Sequence, residues 1–288
     1  MKKIIPILLS SLGFFATFTL CCAVGAYCAD VVLPFNPEPK QGEIFPVTVL
    51  GDEDLLEARI QYGRQEIYLQ CDGKRASGWF GFDLSTPPGQ KDLTFILVKK
   101  NGARKITRSL KVVSGSFPTQ NISGVQDSYV NPGKRELDRI KSEAEALKDI
   151  WQSSAPDVFW DGNFVLPFDG FSGSGFGRRR IINGEPRNPH TGVDAVALPG
   201  TPVKTINNGI VRLTRDLFFS GMSVIIDHGG GVFSMYFHLQ DIIVETGNYV
   251  RKGQIIGHVG DTGRATGPHL HLGVRIVDQR VNPMDLFR

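Results

Sequence analysis

The chain has 288 residues, of which 41% are hydrophobic, and it contains 33 Gly and 17 Pro. This length suggests two domains with ordinary hydrophobic cores, and the abundance of Gly and Pro favours β structure with many turns. Lys2 and Lys3 are the only charges before Asp30, which leaves 30 Lys and Arg against 29 Asp and Glu, a balance that excludes the basic stripe of a nucleic-acid-binding protein.

The first 29 residues have the pattern of a secretory signal. Lys2 and Lys3 precede an apolar run from Ile4 to Leu20, and small residues follow near Ala26 or Ala29. We therefore predict that residues 1–29 are a cleaved signal and that the protein is exported to the periplasm or cell envelope. The uncharged run is also long enough for an uncleaved inner-membrane anchor formed by residues 4–29, and only in that case do we expect membrane association.

The cysteines agree with export but offer no disulfide framework. Cys21, Cys22 and Cys28 lie in or beside the signal, which leaves Cys71 alone in the predicted mature chain. Lipid attachment at an early cysteine is a weak alternative, because the residues before each of them fit the usual small-residue motif poorly.

Residues 30–115 are predicted to form a small immunoglobulin-like β-sandwich. Short runs rich in β-branched or aromatic residues are separated by turn signals such as Asp72-Gly73 and Asn101-Gly102. The predicted strands are Ile44–Leu50, Ala58–Tyr62, Glu66–Gln70, Gly78–Leu84, Leu93–Lys99 and Ala103–Val113. No cluster in this region carries obvious chemistry, so we interpret it as a spacer or docking module.

Residues 116–155 are predicted to be a linker followed by a helix. Residues 116–130 are polar and indicate an irregular segment. Asn131-Pro132 then opens a helix whose apolar residues recur every three or four positions as far as Trp151, and Ser153 to Pro156 ends it.

Residues 156–288 are predicted to form an antiparallel β domain with almost no helix. Two hairpins are indicated, one around Asn207-Asn208-Gly209 and one around His228-Gly229-Gly230-Gly231. Glycine-rich loops at 171–180, 214–221 and 261–267 separate further strands.

The stretch Gly267-Pro268-His269-Leu270-His271-Leu272-Gly273 carries the strongest signal. Side chains alternate along a strand, so His269 and His271 share one face while Leu270 and Leu272 pack on the other. Two interpretations are open for this pair: a polar strand face, or a metal ligand next to a catalytic base.

Other residues favour a metal. Asp194 stands in an otherwise apolar strand, where a buried carboxylate needs a cation, and His190 precedes it by four residues in a loop. His238 ends the strand Val232–Leu239, on the face opposite Phe237. Two histidines and a carboxylate with an open fourth position are a common catalytic zinc set.

These residues resemble the signature of the lysostaphin-like (LytM-type) zinc metallopeptidases of bacterial cell walls. The resemblance runs in the family's order from Phe164 to about Pro283 and rests on the motifs His190-x-x-x-Asp194, Tyr236-Phe237-His238-Leu239 and Gly267-Pro268-His269-Leu270-His271. Phe237 is a departure, since a small residue is more usual before that histidine, and it could narrow the groove. His228 and His258 are interpreted as structural.

The resemblance implies a site, a fold and a function. His190, Asp194 and His271 would bind one Zn²⁺ per chain, His269 would be the general base, and His238 would assist by donating to the oxyanion. The fold would be a flattened, barrel-like antiparallel sheet. The protein would be a monomeric exported zinc metalloendopeptidase that hydrolyses peptide cross-links in the stem peptides of peptidoglycan.

Two alternatives come from other classes. The segment from Glu245 to Gln254 is similar to the hairpin sequence of biotinyl- and lipoyl-carrier domains. Neither predicted hairpin tip, however, carries the lysine that such a carrier needs. The second is a catalytically silent wall-binding or amidase-regulating protein of the same fold. Such relatives usually lack metal ligands, whereas this chain retains them.

Overall fold

The computed structural model describes residues 30–32 and 37–288, so the predicted signal and the alternative membrane anchor lie outside the described residues. The described part is mostly β, which confirms the predicted fold class. No helix in this part of the chain combines the length and the hydropathy needed to cross a membrane.

Seven antiparallel strands make up the first half of the described chain. They are β1 (Asp30–Val32), β2 (Ile44–Leu50), β3 (Leu55–Tyr62), β4 (Gln65–Asp72), β5 (Arg75–Gly81), β6 (Gly89–Lys99) and β7 (Gly102–Val112). Their order is β1-β2-β5-β4-β3-β6-β7. Strand β4 joins the two halves of the predicted sandwich, because residues 65–69 pair with β3 and residues 70–72 pair with β5.

The predicted linker holds more regular structure than its polar composition indicates. Strand β8 (Thr119–Ile122) pairs in parallel with β9 (Arg179–Ile182), and β10 (Glu185–Arg187) completes a three-stranded sheet. The prediction of an irregular segment was wrong here, because the partner of β8 lies some 60 residues away and a local pattern does not show it.

A short helix α1 (Asp127–Val130) leads into α2 (Lys134–Gln152), close to the predicted helix. Its apolar residues Leu147, Ile150 and Trp151 pack in one cluster with Phe233 and Met235 of the following sheet. The helix therefore covers one end of that sheet and leaves the other end open.

The second half of the chain forms a curled antiparallel sheet, as predicted. Its strands are β11 (Gly192–Val196), β12 (Pro202–Lys204), β13 (Gly209–Leu217), β14 (Gly221–Asp227), β15 (Val232–Ile242), β16 (Tyr249–Val250), β17 (Ile255–Val259), β18 (His269–Ile276) and β19 (Gln279–Val281). The main order is β11-β18-β15-β14-β13-β16, with β12 on β17, β17 also on β15, and β19 on β18. A 3₁₀ helix (Pro283–Phe287) follows.

One of the two predicted hairpins forms. β14 and β15 pair across the His228 turn, but β12 pairs with β17 instead of β13. The Asn207-Asn208-Gly209 turn does not close a hairpin, because Asn207 is buried and its side-chain oxygen accepts the backbone N–H of Asp161 at 3.1 Å.

Candidate metal centre

Three neighbouring strands bring the predicted site residues to one face. Asp194 on β11 lies opposite His271 on β18, and His271 lies opposite Phe237 on β15. Directly opposed residues of antiparallel strands project to the same face, and so do residues two apart on one strand. This register confirms that His269 and His271 share a strand face, and it adds Asp194 to that face.

Three potential ligand atoms form a compact triangle. His190 Nε2 lies 3.0 Å and His271 Nδ1 lies 2.8 Å from Asp194 Oδ1. The two nitrogen atoms are 2.9 Å apart. In a tetrahedral zinc site with bonds of about 2.0–2.1 Å, neighbouring ligand atoms lie about 3.3 Å apart. A small outward movement would therefore let the three atoms share one metal ion.

The loop that carries His190 is shaped for this contact. His190 Nδ1 donates to the backbone carbonyl of Gly175 at 3.0 Å, which leaves Nε2 as the acceptor atom facing Asp194. Gly175 has a φ of +96°, and a Cβ there would lie only 3.0 Å from His190 Nδ1. A Cβ on Gly192 would lie 2.6 Å from His271 Nε2. Both glycines therefore make room for the imidazoles.

The ionisation states also suit a metal. Burial raises the pKa of Asp194, but its close pairing with the His190 and His271 rings outweighs burial and holds this pKa far below its usual range. Burial lowers the pKa of His190 to about 4, so its ring is neutral at neutral pH. An ionised carboxylate and neutral imidazoles are the forms that bind metal ions.

His269 and His238 lie beside this triangle. His269 Nε2 is 3.8 Å from Asp194 Oδ1, and the His238 and His269 rings are 4.8 Å apart. His269 Nδ1 donates to the Gly267 carbonyl and His238 Nδ1 to the Thr262 carbonyl, each at 2.7 Å. Both rings thus present an unprotonated Nε2 when neutral, which makes each of them a proton acceptor.

The predicted orientation of His238 was wrong. The strand continues past it to Ile242, and His238 has a φ of +62° where the pairing of β14 with β15 shifts register. This bulge breaks the alternation of side chains and brings the His238 ring to the face where the Phe237 ring lies. There, Phe237 stacks on His271 with ring centroids 5.3 Å apart and planes within 6° of parallel.

The other two histidines lie outside this cluster. His228 is fully buried and bonds to the Asn208 carbonyl and to Ser234 Oγ. His258 Nδ1 lies 2.7 Å from Asp241 Oδ1.

The three glycine-rich loops all reach the site. Gly175 from the first loop holds His190, Ser220 from the second accepts the backbone N–H of His238 at 2.8 Å, and Thr262 from the third holds the His238 ring.

Sequence reasoning missed two arginines at the site. Arg180 Nη2 lies 3.3 Å from Asp194 Oδ2, and Arg264 lines the adjoining cavity. The Arg178-Arg179-Arg180 run was visible in the sequence, but nothing in a run of three identical residues indicates which one points inward. Arg264 carries no local signal of this kind.

Part of the chain that carries the site is similar to known proteins. The model of peptidase family M23 matches residues 188–283. Peptidoglycan DD-endopeptidase ShyA of Vibrio cholerae is 44% identical over 96 residues, which is 33% of this chain and 22% of that protein. DD-carboxypeptidase/endopeptidase Mpg of Neisseria meningitidis is 44% identical over 97 residues, which is 34% of this chain and 22% of that protein.

A solved structure is similar over more of the chain. A protein of Pseudomonas aeruginosa described as a candidate M23 peptidase has a TM-score of 0.67 and 29% identity, covering 87% of this chain and 95% of its own. The two curated relatives, in contrast, are matched over about a fifth of their length. Residues 188–283, which carry the histidines and the aspartate of the site, thus match the model of peptidase family M23.

Proposed function

We propose that this protein is an exported zinc metalloendopeptidase that hydrolyses peptide cross-links of peptidoglycan. The observation that carries the proposal is the triangle of His190, Asp194 and His271, with His269 next to it as a free acceptor. The relatives named as peptidoglycan DD-endopeptidase and DD-carboxypeptidase/endopeptidase support the substrate class.

The metal is proposed to be one Zn²⁺ per chain, held by His190 Nε2, Asp194 Oδ1 and His271 Nδ1. Two imidazoles and a carboxylate suit zinc, and three protein ligands are typical of its catalytic sites. When bound, the ion would polarise the scissile carbonyl and lower the pKa of a water molecule in the site.

The two remaining histidines are proposed to handle protons. His269 Nε2 accepts a proton from the attacking water and passes it to the leaving amine. Burial, with the nearby His271 and His269, lowers the pKa of His238 to about 3, so this ring starts as an acceptor. The predicted donor role of His238 toward the oxyanion therefore requires that Nε2 first take up a proton.

An extended peptide suits the open end of the sheet. The site lies between glycine-rich loops, at the end of the sheet face that α2 does not cover. Val196, which lies opposite His269, is 89% exposed and offers an apolar contact beside the scissile bond. We propose that the stem peptide lies along this face, and that the protein acts as a monomer in the periplasm or cell envelope.

The catalytically silent alternative is less favoured. A protein that only binds walls or regulates amidases has no need for three ligand atoms within 3.0 Å of one another or for two further histidines with free Nε2 atoms.

Digestion of purified cell walls tests the proposal. The zinc-loaded protein should release soluble fragments whose masses correspond to opened cross-links, and a chelator should stop the release. A protein that holds zinc but releases no fragment from any wall type would contradict the proposed function.

A further inference from the structure

A cavity of about 340 Å³ adjoins the metal centre. Asp194, His238 and His269 line it, together with residues 120–123 and Val125 of the β8 segment. Arg180 and Arg264 also line it, and Asp194 is the one carboxylate among these described lining residues.

Arg180 is incompletely paired in this cavity. Its Nη2 makes a long contact of 3.3 Å with Asp194 Oδ2, and its Nε is buried without a hydrogen-bond partner among the described residues. Asp194 presents its other oxygen to His190 and His271, where the metal would neutralise its charge. Little negative charge on Asp194 would then remain to balance the positive charge of Arg180.

Arg264 has no ion-pair partner within residues 30–32 and 37–288. Its guanidinium lies over the Phe219 ring, 4.6 Å from the centroid, which fixes its position without cancelling its charge. Burial, together with the charges of Arg180 and Arg187, lowers its pKa to about 10, and the group stays cationic at neutral pH.

The charges around the cavity do not balance. Two guanidinium groups and a divalent ion would face a single carboxylate, and partly buried cations without an anion are costly. The planar guanidinium matches a carboxylate with two parallel hydrogen bonds, so the missing anion fits a carboxylate that arrives with the substrate.

We propose that Arg180 and Arg264 bind a free carboxylate on the substrate residue whose nitrogen is released at the scissile bond. This inference rests on the proposed function and names its substrate class. When the cleaved peptide bond joins two residues of D configuration in a cross-link, the released nitrogen is attached to a carbon that also bears a free carboxylate. The same holds when the released residue is a C-terminal D-alanine. Internal glycine bridges lack this group, because the next carbonyl is already an amide.

Two matched peptides test the inference. One ends in D-alanyl-D-alanine with a free carboxylate, and the other is the same peptide as its carboxamide. Full-length zinc-loaded protein should bind the carboxylate form about 10- to 100-fold more tightly by calorimetry, the range expected for hydrogen bonds to a charged group. Its kcat/KM should favour the same form.

Two variants locate the effect. Arg264→Gln should abolish most of this preference, mainly through KM and Kd, while bound zinc stays the same. Arg179→Gln removes an exposed neighbouring arginine that does not line the cavity, and it should keep the preference.

Equal affinity of the unchanged protein for the two peptides would overturn the inference, as would an unchanged preference in Arg264→Gln. Failure of the proposed function is distinguishable, since it would appear as intact cell walls whether or not the carboxylate peptide binds.

Discussion

At the scale of single residues, His269 and His271 differ by their distance from one oxygen atom. His271 Nδ1 lies 2.8 Å from Asp194 Oδ1, whereas His269 Nε2 lies 3.8 Å from it. Phe237 stacks on the His271 ring and fills space beside it. The two imidazoles therefore occupy different environments although they project from one strand face.

This difference predicts that alanine substitutions of the two histidines have different effects on zinc binding. His271→Ala should lose zinc and activity together, because two remaining ligands seldom hold zinc against a chelator. His269→Ala should keep its zinc and lose about 10²- to 10⁴-fold in rate, the usual contribution of a general base. Bound zinc and wall hydrolysis are measured on each variant. Equal zinc loss in both would make His269 a ligand, and the reverse pattern would exchange the two roles.

At the scale of elements, the β14–β15 hairpin is built around a buried imidazole. His228 bonds through Nδ1 to the Asn208 carbonyl at 2.6 Å and through Nε2 to Ser234 Oγ at 2.7 Å. Burial lowers its pKa to about 4. The buried His228 ring is thus neutral near pH 7, because water does not reach it to solvate the charged form.

The hairpin should make folding stability sensitive to acid. The unfolded chain has a His pKa of about 6.5, so between pH 6.5 and 4 it binds a proton that the folded chain does not. The free energy of unfolding is therefore unaffected by this group above about pH 6.5 and falls as the pH drops, by about 2 kcal/mol at pH 5.

Urea unfolding near neutral pH and near pH 5 measures this effect. His228→Gln, which cannot titrate, should lose about 2 kcal/mol less between the two pH values than the unchanged protein. An identical slope in the two proteins would show that His228 is not the sensor.

At the scale of the whole molecule, the two sheets share one hydrophobic core. Buried side chains from both halves, such as Phe45 and Phe80 from the first and Val274 and Leu286 from the second, belong to a single cluster. Trp79 meets Phe164 edge to face at 6.0 Å. The boundaries near residues 115 and 155 that composition suggested stay predictions.

An ion pair also joins the halves. Asp83, which follows β5, accepts Arg280 Nε at 2.8 Å and Arg280 Nη2 at 2.7 Å. Burial raises the pKa of Asp83, but the hydrogen bonds from Arg280 and Ser85 have the larger, opposite effect and lower this pKa to about 2. The carboxylate is therefore ionised throughout the neutral range.

Asp83→Asn should destabilise the whole chain, because it leaves the Arg280 guanidinium without its anion. We expect a loss of about 1–3 kcal/mol, below the value for a fully buried pair since Arg280 is partly exposed. Urea unfolding at neutral pH measures the loss, and zinc content should not change. Asp169→Asn is the matched control, since Asp169 is fully exposed in its pair with Lys204 and its replacement should leave the free energy of unfolding nearly unchanged. Similar losses in both variants would argue against coupling of the halves through Asp83.

The sequence by itself determined the features that depend on local pattern and on residue chemistry. Period-two alternation predicted β18 and the shared face of His269 and His271, because strand geometry fixes that alternation. The motifs around Asp194, His238 and His269 predicted the family and, through that resemblance, the candidate ligands, because the motifs occur together in the family's order.

Only the tertiary structure decided the features that depend on contacts between distant segments. The bulge at His238, the pairing of β8 with β9 and the pairing of β12 with β17 each arise from partners far away in the chain. The inward arginines are of the same kind: Arg180 and Arg264 are 84 residues apart in the sequence and meet only because the sheet and the β9 strand close around one cavity. Local propensity carries no information about such contacts, because the whole fold determines which residues are buried and which charged groups lie next to each other.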